Sequence, residues 1–353
     1  VMQFAGQRVS MELEEIGEPV NILVKMTDDC LPSPGAIGVT GITPQATLMD
    51  GVSEAEFCRY VQEEVFVPGT IAVGYNTVRF DDEFMRAVLW RNFYDPYEWE
   101  WKDERSRWDL LDVVRLVRAL RPEGIEWPFR EDGKPTNRLE LITKLNGISH
   151  EHAHDALSDV YATIAVAQLI RERQPKMFEY LLKMRSKREV AKLVNLADKK
   201  PFVYASGRYS NEFNKTTVVF PIAPGRNGNV LVYDLRYDLE KDEIEFPKVK
   251  ELCYNKCPAV APLGVLDVNK GWEKIGLRSW RIFIRSLMMR GCRSCCYIIK
   301  GGTFRRRCRK MRWKSGRLIG RRACSGRRRS SWKSWKKWRM ILLRKNYYSI
   351  CSH

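Results

Sequence analysis

The feature that most restricts the fold is an alternation of helix-period segments with short apolar runs over the first half of the chain. The run TIAVGY at 70–75 carries no charge, which reads as a strand buried on both faces. Before it, Phe57, Tyr60, Val61 and Val65 recur at helical spacing and predict a helix over 54–64. After it, the same spacing predicts helices over 82–91, 108–120, 138–145 and 155–173, the last with Ala156, Val160, Ile164 and Ala167 on one face. Ahead of all of these, residues 2–26 alternate around Val9, Met11 and Leu13 and again around Ile22 and Val24, with a Gly-Glu-Pro turn at 17–19. That pattern predicts an antiparallel hairpin. The outcome is an α/β domain over 1–178. A helical connector follows over 179–199, and then short strands separated by Gly, Pro and Asn predict a small β domain over 200–268.

Charge divides the chain at a different place. Its 353 residues have a net charge of +18, which on its face points to a nucleic-acid partner. Residues 278–353 hold 25 of the 61 Lys and Arg and none of the 43 Asp and Glu, so the remainder carries 36 basic against 43 acidic groups, a net of −7. The body is mildly acidic. Three readings compete for the tail: a basic nucleic-acid-binding arm, a zinc module on Cys292, Cys295, Cys296 and Cys308, or an out-of-frame segment. Five Trp among Ser, Arg and Cys are unlike a disordered arm, which is poor in aromatics. Codons for Ser279, Trp280 and Arg281 can be shifted by two bases to read Leu-Glu. The tail is therefore expected to be a disordered, out-of-frame basic segment beginning near Leu277.

Four cysteines, Cys30, Cys58, Cys253 and Cys257, fall in the body and imply no disulfide framework. Neither a signal peptide nor an apolar stretch of membrane-spanning length is seen, so a cytoplasmic location is expected. The first residue is Val1, and the N-terminus is expected to be cut.

Two segments carry the chemistry. In GYNTVRFDDEF at 74–84 a buried strand runs into a turn and a helix, placing Asp81 at a sheet end beside Asn76. In HAHDALSDVYAT at 152–163, His154 precedes Asp159 by five residues, and Asp159 lies on a helix facing the sheet. Phosphodiester hydrolysis needs carboxylates that hold divalent cations, and hard oxygen ligands select Mg²⁺ or Mn²⁺. A nearby His can take the proton of the attacking water. Each residue also has an ordinary reading: Asp81 as a helix cap, His154 as a hydrogen-bonded core histidine, His150 and His152 as surface residues. The spacing of Cys253 and Cys257 is met by no second pair nearby in the body, which argues against zinc.

Asn76-x-x-x-Phe80-Asp81 and His154-x-x-x-x-Asp159 resemble the second and third motifs of the DEDD-type 3′→5′ exonucleases of the ribonuclease H-like superfamily. The stretches LPSPGAIGVTGITPQ, RNFYDPYEWEW, SRWDLLDVVR and ALRPEGIEWP narrow the resemblance to the bacterial exonuclease I family, over residues 3 to about 277. It implies a ribonuclease H-like exonuclease domain, a mixed sheet flanked by helices, followed by an SH3-like β domain. The family's first motif, a strand with Asp-x-Glu, is expected before Met2 and is absent, as is the helical domain that closes over DNA. On that reading this chain would bind metal poorly and cleave slowly or not at all.

The resemblance further implies Asp81 and Asp159 as metal ligands, His154 as general base and Arg138 as a substrate-phosphate contact. It implies Arg86, Tyr97, Trp101, Arg115 and Arg121 as strand contacts, consistent with guanidinium–phosphate pairing and base stacking on aromatic faces. Two Mg²⁺ ions, single-stranded DNA, a single-stranded DNA-binding protein, no membrane and a monomeric state complete the expectation. The activity implied is hydrolysis from the 3′ end to 5′-mononucleotides in DNA repair and recombination. Its rivals are an RNA-trimming or proofreading exonuclease and a non-catalytic binder acting through the tail.

Overall fold

The computed structural model describes residues 3–30, 33–148, 156–237 and 249–266, and the backbone of 338–344. The predicted hairpin is present as β1 (Gln3–Val9) and β2 (Val20–Leu23), paired antiparallel from Gln3 opposite Leu23 to Gly6 opposite Val20. The first strand ends at Val9 rather than running on to Leu13, which sits at a left-handed φ of 69°. Two helices that the helical spacing did not predict follow, α1 (Pro34–Thr40) and α2 (Pro44–Asp50). Each has Pro in its first turn, where the missing N–H costs nothing. The predicted helix at 54–64 divides into α3 (Glu54–Tyr60), capped by a reciprocal Ser53 and Glu56 box, and a π-helical turn Val61–Val65.

Strand β3 (Thr70–Gly74) leads into α4 (Asp81–Arg91). The segment predicted as one helix at 108–120 instead begins with a strand, β4 (Ser106–Asp109), and continues as α5 (Leu110–Leu120). Asp109 makes the change of direction, accepting the Leu111 amide as N-cap at 2.9 Å. Then come α6 (Leu139–Leu145), α7 (Ala156–Arg173), α8 (Pro175–Lys183) and α9 (Lys187–Leu193).

Period-two alternation explains the layers. Ala5, Val9, Ile71, Val73 and Trp108 face a core shared with α5 and α7, whereas Phe4 and Ala72 face Phe57 of α3 and Met85 and Leu89 of α4. A mixed sheet thus lies between helices on both faces. Its order is β2-β1-β10-β3-β4, where β10 (Trp338–Arg344) comes from the basic tail. It runs parallel to β1 and antiparallel to β3. Disorder was expected there, and at these seven residues the structure differs. The run Met340, Ile341, Leu342, Leu343 has the continuous apolar character of a central strand, masked in the sequence by the surrounding charge.

A second, antiparallel sheet has the order β8-β7-β6-β5-β9, from β5 (Phe202–Ala205), β6 (Thr216–Pro224), β7 (Val230–Asp234), β8 (Val249–Leu252) and β9 (Val260–Pro262). One face packs Phe202, Val219 and Val260 with Val190 of α9. The other, through Val203, Ala205 and Val218, joins the core that holds α5 and α7, so the two sheets share one apolar interior. No helix among the described residues is long and apolar enough to cross a membrane.

Candidate active site

The turn after β3, the β4–α5 junction and the loop ahead of α6 meet at the C-terminal ends of β3 and β4. The carboxylate of Asp109, at the end of β4, accepts the amides of Asn76 at 2.8 Å and Val78 at 3.2 Å. Those bonds hold the turn in which Asn76 takes a left-handed φ of 68°, a conformation Asn tolerates. The turn delivers Asp81 as the first residue of α4, 6% exposed. From the other side the Tyr75 hydroxyl donates to the Asn137 carbonyl at 2.6 Å, which draws the loop carrying Arg138 to the end of β3. Burial raises the Tyr75 hydroxyl's pKa. For Asp109, burial and then Asp112 push the carboxyl up to about 6, against the amides it accepts.

Asp159 stands in the first turn of α7, 3% exposed, where the helix dipole favours an anion. His154 lies outside the described residues, as do His150 and His152. Among the described residues no three His, Cys, Asp or Glu side chains cluster as a metal site. Asp81 and Asp159 supply hard oxygen donors of the kind Mg²⁺ takes, so the donor chemistry fits a divalent cation.

The six residues expected to touch a strand fall into two sets. Arg138 is exposed, with Glu140 at 3.9 Å, and Tyr97 and Trp101 are 54% and 65% exposed. Trp99 between them is buried and stacks on Phe66 at 4.9 Å, anchoring the segment. The three remaining arginines have protein partners. Arg86 pairs with Glu83 at 2.6 Å and Glu100 at 2.5 Å and lies 5.3 Å from the Tyr97 ring centre. Arg115 pairs with Asp112 and packs on Gly207, where a Cβ would come within 3.0 Å of its guanidinium. Arg121 donates to the Leu120 carbonyl at 2.7 Å and to the Val265 carbonyl at 2.9 Å.

Three supporting residues lie outside the sequence expectations. Asp109 orders the Asn76 turn. Arg118, buried, donates to the carbonyls of Thr136 and Pro128 and to Asn137, shaping the loop ahead of Arg138; burial lowers its pKa to about 10. Arg107 binds Asp82 and Glu100, whose carboxyls burial raises against the pull of that guanidinium. Asp109 and Arg107 lie in the segment SRWDLLDVVR, whose charges inside an apolar pattern were the available signal.

A mixed sheet with buried acidic residues beginning two of its helices, followed by a small antiparallel sheet, defines an exonuclease-class domain with an SH3-like companion. The exonuclease family profile matches residues 1–167, and that of the exonuclease I SH3-like domain matches residues 185–244. The chain is similar to exodeoxyribonuclease I of Haemophilus influenzae, with 43% identity over 288 residues, 75% of this chain and 61% of that protein. It is 44% identical to exodeoxyribonuclease I of Escherichia coli over 276 residues, 76% of this chain and 58% of that protein. For the protein of that name from Buchnera aphidicola subsp. Acyrthosiphon pisum the figures are 38% over 291 residues, 76% and 70%. Among solved structures, E. coli Exonuclease I in complex with a dA16 oligonucleotide matches with a TM-score of 0.78 at 39% identity, over 84% of this chain and 69% of that one. The chain belongs to the exonuclease I family. It spans about three fifths of the length of the first two relatives.

Proposed function

We propose that this chain carries the fold and site of a 3′→5′ exonuclease that hydrolyses single-stranded DNA to 5′-mononucleotides with two divalent metal ions, Mg²⁺ foremost. The observation that carries the reading is the meeting of the Asn76 turn, Asp81 and the Arg138 loop at one end of the sheet, held by Asp109 and Tyr75. Asp81 and Asp159 would hold the metal. When bound, such a cation supplies positive charge to the phosphate undergoing transfer. Arg138, exposed and with Glu140 at 3.9 Å, would meet a substrate phosphate. His154 is assigned as the base that takes the proton of the attacking water. Tyr97 and Trp101 offer ring faces on which bases of an unpaired strand stack. Support for the substrate comes from the likeness to an exonuclease I whose structure contains dA16, and for a protein partner from similarity to an exonuclease I in an SSB/Exonuclease I structure, 41% to 38% identity being typical of the solved relatives.

The test is Mg²⁺-dependent release of 5′-mononucleotides from a labelled single-stranded DNA oligomer by a form of the chain that carries the first-motif strand, set beside an RNA oligomer of the same sequence. Asp159→Asn is expected to lower release by at least about 100-fold. Release unchanged by that substitution refutes the assignment, and preference for RNA refutes the substrate.

A further inference from the structure

Arg107 occupies the middle of β4, a residue after Ser106 and before Trp108, whose ring faces the core shared with α5 and α7. Its own side chain, on the opposite face, is 6% exposed and reaches three separate elements. One terminal nitrogen donates to the carboxylate of Asp82, the residue after Asp81 on α4. Its Nε lies 3.1 Å from Glu100, in the segment that displays Tyr97 and Trp101. The other terminal nitrogen donates to the backbone carbonyl of Asn255, in the connection between β8 and β9 of the second sheet.

The contact is returned. The Cys257 thiol donates to the Arg107 carbonyl at 3.2 Å. Cys257 itself is held at a φ of 45°, a left-handed conformation that non-glycine residues keep only when their surroundings impose it. Glu100 also binds Arg86, so Asp82 and Arg107, both buried, are joined through the half-buried Glu100 to Arg86. One planar guanidinium with a fork of donors can join carboxylates and a carbonyl at once; a lysine ammonium, a single point on a flexible stem, cannot.

We propose that Arg107 is an interdomain latch that fixes the β8–β9 connection of the second sheet against both the Asp81 helix and the Tyr97 and Trp101 segment. The latch rests on the contacts between the two sheets and not on the nuclease reading, so either can fail alone.

The test labels thiols in the full chain and reads each cysteine by peptide mass spectrometry. Cys257, buried and pushed up to about 12, reports the latch. Cys58, buried in the first domain with its thiol on the Val88 carbonyl at 3.6 Å, reports that domain's integrity. Arg107→Lys should speed labelling of Cys257 by roughly tenfold or more while Cys58 stays as in the parent. Asp82→Asn should speed Cys257 as well, by less, although it lies across Arg107 from that thiol. The double variant should exceed Arg107→Lys alone by little. An unchanged Cys257, equal rises at both thiols, or additive effects of the two substitutions would each overturn the latch.

Discussion

Two regions were expected to grip a single strand, and they are built on opposite plans. In the aromatic segment 97–101 the outer rings, Tyr97 and Trp101, face solvent, and only the middle one, Trp99, is buried. At the seam between the sheets, Arg115 and Arg121 are already engaged by Asp112, Gly207 and the Val265 carbonyl. An exposed ring can stack on a base without giving anything up. A paired guanidinium must share or surrender a partner to take a phosphate, so its first contribution is to hold the protein together. The contrast warns that an arginine matching a family position can serve structure as much as substrate.

The largest expected effect tests the anchor. Trp99→Ala should cost about 3–5 kcal/mol in denaturant unfolding, whereas Trp101→Ala should cost no more than about 0.5 kcal/mol; equal costs would break the distinction between buried and displayed rings.

The seam makes a pH prediction next. Lys250 lies over the rings of Tyr204 and Tyr209 at 4.5 and 4.8 Å and bonds Ser206. Burial, with Arg79, Arg208 and Arg115 adding repulsion and Asp112 opposing, lowers it to about 7. The unfolded chain then binds more protons between pH 7 and the ordinary lysine value, so this group's contribution to stability grows as pH rises through that window. It is complete above the ordinary lysine value and lost as pH falls through about 7. Lys250→Met should flatten that rise by an amount on the order of 3 kcal/mol, measured by unfolding at pH 7 and pH 10. An unchanged slope would mean that Lys250 stays charged.

Binding effects come third. Tyr97→Ala and Trp101→Ala should each weaken a single-stranded oligomer by about 1–3 kcal/mol in a titration, with unfolding midpoints within about 0.5 kcal/mol of the parent. Loss of stability with no loss of binding would reverse the assignment of the two regions. The smallest effect is at Arg121, where alanine should lower unfolding free energy by about 1.5 kcal/mol through the lost carbonyl bonds. Tolerance of that change would return Arg121 to the surface and to the strand.

The residues that were legible in the sequence share a property: their signal is local. The strand at 70–75, the helix beginning with Asp81 and the helix carrying Asp159 follow from periodicity and cap positions within a few residues. The second sheet was readable because β-rich runs and turn residues alternate along it. The misses came where a local signal was ambiguous. Pro34 and Pro44 start helices that the helical spacing did not predict, and the helix predicted from Trp108 begins only after Asp109 caps it, with Ser106–Asp109 a strand.

What the sequence by itself determined is therefore the order of elements, the acidic body beside a basic tail, and the residue types able to hold metal and stack bases. The tertiary structure alone decided which charges are available. Arg86, Arg115 and Arg121 are alike in sequence to Arg138, but folding brings Glu100, Gly207 and the Val265 carbonyl from distant segments against the first three and leaves Arg138 exposed, with Glu140 at 3.9 Å. It alone also showed that Arg107, Arg118 and Asp109 work as supports, because a buried charge must be satisfied by groups that only folding brings within hydrogen-bond reach.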